Sequence, residues 1–283
     1  MAAEPEVLIT DIVKRLQPLE GVTALTLGGS RARGTATAAS DIDIGIYYAQ
    51  SHPLDLETLQ QVATDLDDQH RDHLMTEIGE WGPWINGGGW LTVQGIAVDL
   101  LYRDLEQVAT CIADCCAGQI TIAYQVGHPY GFCNSIYLAE VALGRSLWDP
   151  TGRLQALQAQ TRSYPTLLKQ TILQKFFWEA EFCLGIARKS ISRRDVTYAS
   201  GCCFRGVMCL MQILFALNEQ YWMNEKGAVA LASTFPLCPA QLQERIDQLF
   251  AGLAAEETAI ATAIRQLQEL VQETALLIQK RCF

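Results

Sequence analysis

Leu27-Gly28-Gly29-Ser30, then ten residues at 31–40, then Asp41-Ile42-Asp43-Ile44-Gly45-Ile46 is the stretch on which the reading of this chain turns. Its second half alternates polar or small residues with isoleucine, the period of a β-strand. Asp41 and Asp43 therefore share one face, and Ile42, Ile44 and Ile46 share the other. Adjacent carboxylates repel unless a cation neutralises them, and hard oxygen donors suit Mg²⁺ or Mn²⁺ rather than zinc. Taken alone, the pair reads equally well as two solvated edge charges. Val22 to Leu27 reads as the preceding strand. Gly28-Gly29-Ser30 at its end permits a tight turn and close backbone approach, and a helix start behind it presents free N–H groups to phosphate. Ser30 adds a hydroxyl.

Working outward, Leu8, Ile9, Ile12, Val13 and Leu16 carry helical spacing that stops near Pro18 and Gly21. Leu59, Val62, Ala63 and Leu66 fit one face of a second helix. A Trp- and Gly-rich stretch (Trp81, Trp84, Gly87 to Gly89, Trp90) then leads into an alternating segment, predicted as a strand from Gly95 to Tyr102. From Asp104 the pattern turns helical, strand-like segments cease, and Asp149-Pro150-Thr151-Gly152 punctuates the chain. The expected division is residues 1–150 as one domain and 151–283 as a second. In the latter, Leu168, Ile172, Phe176; Val207, Leu210, Leu214, Leu217; Leu242, Ile246, Leu249; and Ile260, Ile264, Leu267, Val271 form helical stripes. The fold class expected is α+β: a small mixed sheet with helices, followed by a helical bundle that closes over the cleft.

A chain of 283 residues exceeds what one core usually serves, which agrees with two domains. With 49% hydrophobic and 18% charged residues it reads as globular. No uninterrupted apolar run suggests a membrane span, and the first residues lack the basic start and apolar core of a secretory signal, so a cytoplasmic location is expected. Lys and Arg number 21 against 31 Asp and Glu, a net charge of −10 that disfavours long nucleic acid and suits a cationic small molecule. The ten cysteines, scattered through apolar pattern without a CxxC pair, read as buried reduced thiols. His70 and His73 read as surface residues.

The Gly-Gly-Ser turn, the ten-residue spacing and Asp41-x-Asp43 together resemble the signature of the polymerase-beta-type nucleotidyltransferase superfamily. The resemblance implies that Gly28, Gly29 and Ser30 hold nucleotide phosphates and that Asp41 and Asp43 hold divalent metal. It also implies a third carboxylate on a neighbouring strand, and Asp99, flanked by apolar residues in Ala97-Val98-Asp99-Leu100-Leu101-Tyr102, is the candidate, as metal ligand or as general base. Glu77 and Glu80 are the nearest other acids for the base. Arg31 and Arg33 read either as phosphate contacts or as solvated loop residues, with Arg33 favoured; Ser40 joins the nucleotide-binding set.

More loosely, the whole chain looks like the aminoglycoside and lincosamide adenylyltransferases and their uncharacterised relatives, in which a lysine of the helical domain reaches the triphosphate. Lys226 is the positional match. The activity implied is in-line transfer of a nucleoside monophosphate, AMP from ATP with Mg²⁺ or Mn²⁺, to a hydroxyl of a small acceptor such as an aminoglycoside-like cation, with pyrophosphate leaving. Nucleotidylation of a protein or tRNA, and a non-catalytic nucleotide-binding module, are the competing readings. The loops Gly79–Trp84 and Gly127–Phe132 read either as substrate-facing or as stapled to the core. Arg193-Arg194-Asp195 reads as a solvated turn and helix cap, and the apolar face of the bundle leaves room for a homodimer.

Overall fold

A computed structural model describes residues 4–282. In chain order, the elements are α1 (Pro5–Leu16), β1 (Val22–Leu27), α2 (Gly29–Ala32), β2 (Ile42–Tyr48), α3 (Leu56–Leu66), β3 (Gly88–Val93), β4 (Ile96–Asp104) and α4 (Leu105–Cys116). They continue with β5 (Ile122–Ala123), β6 (Phe132–Cys133), α5 (Ser135–Leu143), β7 (Arg145–Trp148), α6 (Arg153–Gln160), α7 (Thr166–Ala187), α8 (Val196–Leu217), α9 (Ala228–Ala232), α10 (Leu242–Ala251) and α11 (Glu257–Cys282). The class is mixed α+β, a sheet with helices and then a helical region. The chain forms two compact units. The first holds residues up to Asp114 with Ile122–Gly127 and Gly131–Ser163, and the second holds Cys115–Thr121, His128–Tyr130 and Tyr164 onward.

The first unit is built on a five-stranded sheet of order β3-β4-β2-β1-β7, in which only β2 and β4 run parallel. The alternation in β2 is the physical reason for its two faces. Ile42, Ile44, Ile46 and Tyr48 join Leu25, Leu27, Val98, Leu100 and Tyr102 in a buried cluster with Leu8, Ile9, Ile12 and Leu16 of α1 and Leu59, Ala63 and Leu66 of α3. Each such side chain contributes roughly 1.5–3 kcal/mol on burial. Asp55 caps α3 by accepting from the Thr58 N–H.

The opposite face is covered at one end by α5. Arg103 of β4 is buried there, and its Nε and Nη2 donate to both oxygens of Glu140 at 2.7 and 2.8 Å, while Nη1 donates to the Tyr102 carbonyl at 2.8 Å. The guanidinium also lies 5.6 Å from the Tyr137 ring centroid. Burial alone would favour loss of charge; Glu140 more than offsets it and holds Arg103 charged.

Two expectations from the sequence are corrected. The glycine-rich stretch expected only to lead into a strand is itself strand: Gly88–Val93 pairs along β4, and Gly95, which the sequence placed at the start of a strand, forms the turn with Gln94, at φ of 77° and 52°. Positive φ at both central residues is what a two-residue hairpin with a type I′ turn needs. Strands also continue past Asp104. Arg145–Trp148 pairs antiparallel with β1 at the sheet edge, and Ile122–Ala123 pairs with Phe132–Cys133. These strands are too short for periodicity to reveal.

In the second unit the predicted stripes are buried as spaced, from Leu168, Ile172 and Phe176 through Leu267 and Val271. Asp195 caps α8, accepting from the Tyr198 N–H. The buried Tyr130 ring packs against Phe176 and Trp222, with Arg205 over its face at 5.1 Å. Arg245 donates to both oxygens of Glu273 at 2.9 and 2.8 Å, tying α10 to α11. Among the described residues one helix, α8, has the length and apolarity to cross a membrane, with mean hydropathy 1.6 over its best window, but 78% of that window is buried in the protein, as in a core helix. Among the described residues nine cysteines are free thiols, seven of them buried, and burial pushes Cys111 and Cys203 up to about 12, which disfavours the reactive thiolate.

Candidate nucleotidyl-transfer site

On the face of the sheet opposite the α1/α3 core, β2 and β4 run in register with Asp43 beside Asp99, Gly45 beside Leu101 and Tyr47 beside Arg103. Tyr47 and Arg103 are buried, whereas Asp43 and Asp99 are half-buried. The acid pair thus stands at the open end of this face. Neighbouring strands are about 4.8 Å apart, so the carboxylates project side by side.

On the β1 side, the Gly28 N–H donates to the Asp43 carbonyl at 2.8 Å, extending the β1–β2 ladder one residue into the turn. Gly29 then adopts φ +61°, and a Cβ built on it would lie 1.8 Å from Asp43 Oδ2. The turn therefore lies directly against the carboxylate, which needs a residue with no side chain. Gly29→Ala is expected to displace Asp43 and to cost about 1–2 kcal/mol from the left-handed backbone. Calorimetric titration with Mg·ATP beside a thermal melt checks this: nucleotide binding should fall much further than stability does.

Ser30 sits in α2, a single turn, half-buried and one residue from Gly29. Arg31 is the arginine with a defined role: its Nε donates to the Asp41 carbonyl at 2.9 Å and its Nη2 to the Ser40 carbonyl, so it anchors the 31–40 loop just before β2. Arg33 is exposed, with Nε 3.3 Å from the Gly29 carbonyl. The Ser40 hydroxyl accepts from the Thr37 N–H at 2.9 Å and so closes a local turn. Asp41 is exposed and precedes the first strand residue, Ile42. Lys226 is exposed on the turn before α9 in the second unit; its neighbour Glu225 accepts from the Tyr130 N–H at 2.8 Å.

The donor set fits a hard divalent cation, because Asp43 and Asp99 present carboxylate oxygens from adjacent strands. Mg²⁺ characteristically uses one or two carboxylates and completes its shell with water and substrate phosphate. Among the described residues no three or more His, Cys, Asp or Glu side chains gather into a metal-holding cluster. The structure therefore joins Asp43 with Asp99 and leaves Asp41 at the entrance to the strand.

Beyond Asp99, β3 contributes a neighbour that sequence reasoning did not single out for the site. Trp90 is the antiparallel partner of Asp99 and is 59% exposed. Trp81 stacks on it with centroids 4.4 Å apart and planes at 20°. Of the two Gly/Pro loops, Gly79–Trp84 is stapled: Trp84 stacks on Phe132, and the buried Gln125 amide bonds the Trp81 carbonyl at 2.7 Å and the Ile85 N–H at 3.2 Å. The adjacency of Trp90 and Asp99 depends on hairpin register, and the Gly-rich composition of 87–89 hid that hairpin.

Residues 8–83 match the family model of a nucleotidyltransferase domain, a span that contains Gly28–Ser30, Asp41 and Asp43 and stops short of Asp99. That match supports nucleotidyl transfer as the general class of activity. Residues 132–226 match a domain of unknown function (DUF4037). A search of curated proteins returns no match. Among solved structures the chain is similar to a nucleotidyltransferase-like protein from Exiguobacterium sibiricum 255-15, at 12% identity and a TM-score of 0.46, over 97% of this chain and 78% of that one.

Proposed function

We propose that this protein transfers a nucleoside monophosphate, AMP from ATP, to a hydroxyl of a small acceptor in the cytoplasm, with Mg²⁺ or Mn²⁺ as cofactor. The observation that carries the reading is the cross-strand pair Asp43–Asp99 with the Gly29 turn lying on Asp43. Gly28, Gly29 and Ser30 receive the phosphates on a backbone free of side-chain bulk, and the exposed Arg33 and half-buried Ser40 flank the same loop. Lys226 is a proposed triphosphate contact on the family resemblance alone. Asp43 and Asp99 hold the metal, with Asp41 at its edge; when bound, the ion neutralises charge building on the attacking and departing oxygens. The acceptor oxygen bonds to the α-phosphorus as the bond to the β-phosphate oxygen breaks. Pyrophosphate departs, and the hydroxyl proton passes to a carboxylate, for which Asp99 is placed beside the metal-holding Asp43.

A second reading, a nucleotide-binding module without turnover, draws on Asp41 lying outside the strand and on the lack of a three-acid cluster among the described residues. Titration calorimetry of ATP with and without Mg²⁺, on the wild type and on Asp43→Asn, tests the proposal. Binding should require Mg²⁺ and weaken at least about tenfold in the variant, equivalent to about 1.4 kcal/mol. Binding that ignores the metal, or no binding at all, sinks the catalytic reading. Metal-dependent binding that never yields pyrophosphate with any acceptor favours the module.

A further inference from the structure

A surface helix ordinarily turns charged residues outward, as α11 does with Arg265, Glu269 and Lys280. The outer face of α7 does not. Leu167, Thr171, Gln174, Trp178, Phe182 and Gly185 follow one another every three or four residues, so they form one line along a helix of 22 residues, about 33 Å long. No charged residue falls on that line. Leu167, Trp178 and Phe182 are 52%, 64% and 52% exposed, and the two rings stack with centroids 5.3 Å apart and planes at 15°. They present one fixed apolar plate to solvent.

Beside the plate, between α7 and α11, lies a groove of about 450 Å³ whose apolar lining is Leu173, Phe177, Trp178, Ala275 and Ile278. An aromatic centre free of charge with a polar rim is the make-up of a protein–protein interface. A stable interface takes about 800 Å² from each side, and a face 33 Å long and about 20 Å wide, two helix diameters, comes close to supplying it.

The rim points to the occupant. Lys175 and Glu181 stand three residues to either side of Trp178, on opposite edges of the line. Both are exposed, and neither has an ion-pair partner among the described residues. Two copies of α7 laid antiparallel about a dyad through Trp178 set each Lys175 level with the partner's Glu181, twice by symmetry, with the aromatic plates together at the centre. The face is thus complementary to itself. An anionic membrane surface would be served by two basic edges, and Glu181 opposes it.

We propose that α7 is the seam of a homodimer, formed antiparallel about Trp178 and flanked by two Lys175–Glu181 pairs between the copies. The seam is independent of the reaction proposed above.

Sedimentation equilibrium of the full chain at low ionic strength tests it. Wild type should sediment as a dimer, and Trp178→Ala should raise the dissociation constant at least about thirtyfold, as loss of a central aromatic anchor does. Lys175→Glu and Glu181→Lys each set like charge against like and should each weaken the dimer about tenfold. Mixed in equal amounts, these two variants should form a heterodimer tighter than either homodimer. The double exchange, Lys175→Glu with Glu181→Lys, should recover wild-type affinity for itself and pair poorly with wild type. A wild type that stays monomeric overturns the proposal; if that monomer sediments with phosphatidylglycerol vesicles, a membrane covers the face instead. A dimer indifferent to Trp178→Ala overturns it as well. A dimer that Trp178→Ala dissociates but the double exchange fails to restore overturns the antiparallel pairing.

Discussion

Asp43→Asn should lose metal-dependent pyrophosphate release by about a thousandfold or more, while the folded state loses no stability. The first half follows from the chemistry proposed for the site. A carboxylate that helps hold the cation contributes several kcal/mol to charge stabilisation in the transition state, and each 1.36 kcal/mol is a factor of ten in rate. The second half follows from the sheet. Asp43 and Asp99 are register partners on one face, and like charges placed opposite each other destabilise a sheet by about 0.2–1 kcal/mol. The amide has the same shape and fits under Gly29, so removing one charge relieves repulsion without opening a gap. Single-turnover pyrophosphate release, with the best acceptor from a panel of small hydroxylated compounds, is to be measured beside urea unfolding. A variant that is less active and at least as stable identifies a residue kept for function. A variant that loses both in proportion makes Asp43 a structural residue and removes the central support for the proposed reaction.

Glu140→Ala should be the most destabilising single change in the first unit away from its apolar core, by about 3–5 kcal/mol. Arg103 is buried, and Glu140 supplies two of its three hydrogen bonds. Without that partner a guanidinium is left in a low-dielectric site next to Tyr47 and Tyr137, and its pKa lies too high for it to escape by losing a proton. The damage should reach the site, because Arg103 and Tyr47 are partners in the same β2–β4 register as the Asp43–Asp99 pair and lie on the same face of the sheet. Denaturant unfolding of Glu140→Ala, beside the double change Arg103→Met with Glu140→Ala, separates the contributions. The double variant should recover much of the lost stability, since the buried charge goes with its partner. Equal loss in both would mean that packing of α5, rather than the ion pair, holds this face of the sheet.

What could be read from the residues alone is what depends on each residue's own neighbours along the chain. The period of Ile42, Ile44 and Ile46 defines a strand with one buried face, the Gly28-Gly29-Ser30 triplet marks the turn before it, and the 3.6-residue spacing of Leu210, Leu214 and Leu217 defines a core helix. The apolar flanks of Asp99 marked it as an unusual acid for the same local reason. Tertiary structure alone decided who stands beside whom. The hairpin through Gln94–Gly95 sets Trp90 opposite Asp99, the parallel pairing of β2 with β4 sets Asp99 beside Asp43, and α5 carries Glu140 to Arg103. Alternation tells which face a side chain takes, but it is silent on register, and a one-residue slip would exchange every neighbour on that face. Register is settled by the summed packing and hydrogen bonding of strands distant in sequence, so the acid pair, with Trp90 opposite Asp99, exists only once the sheet has formed.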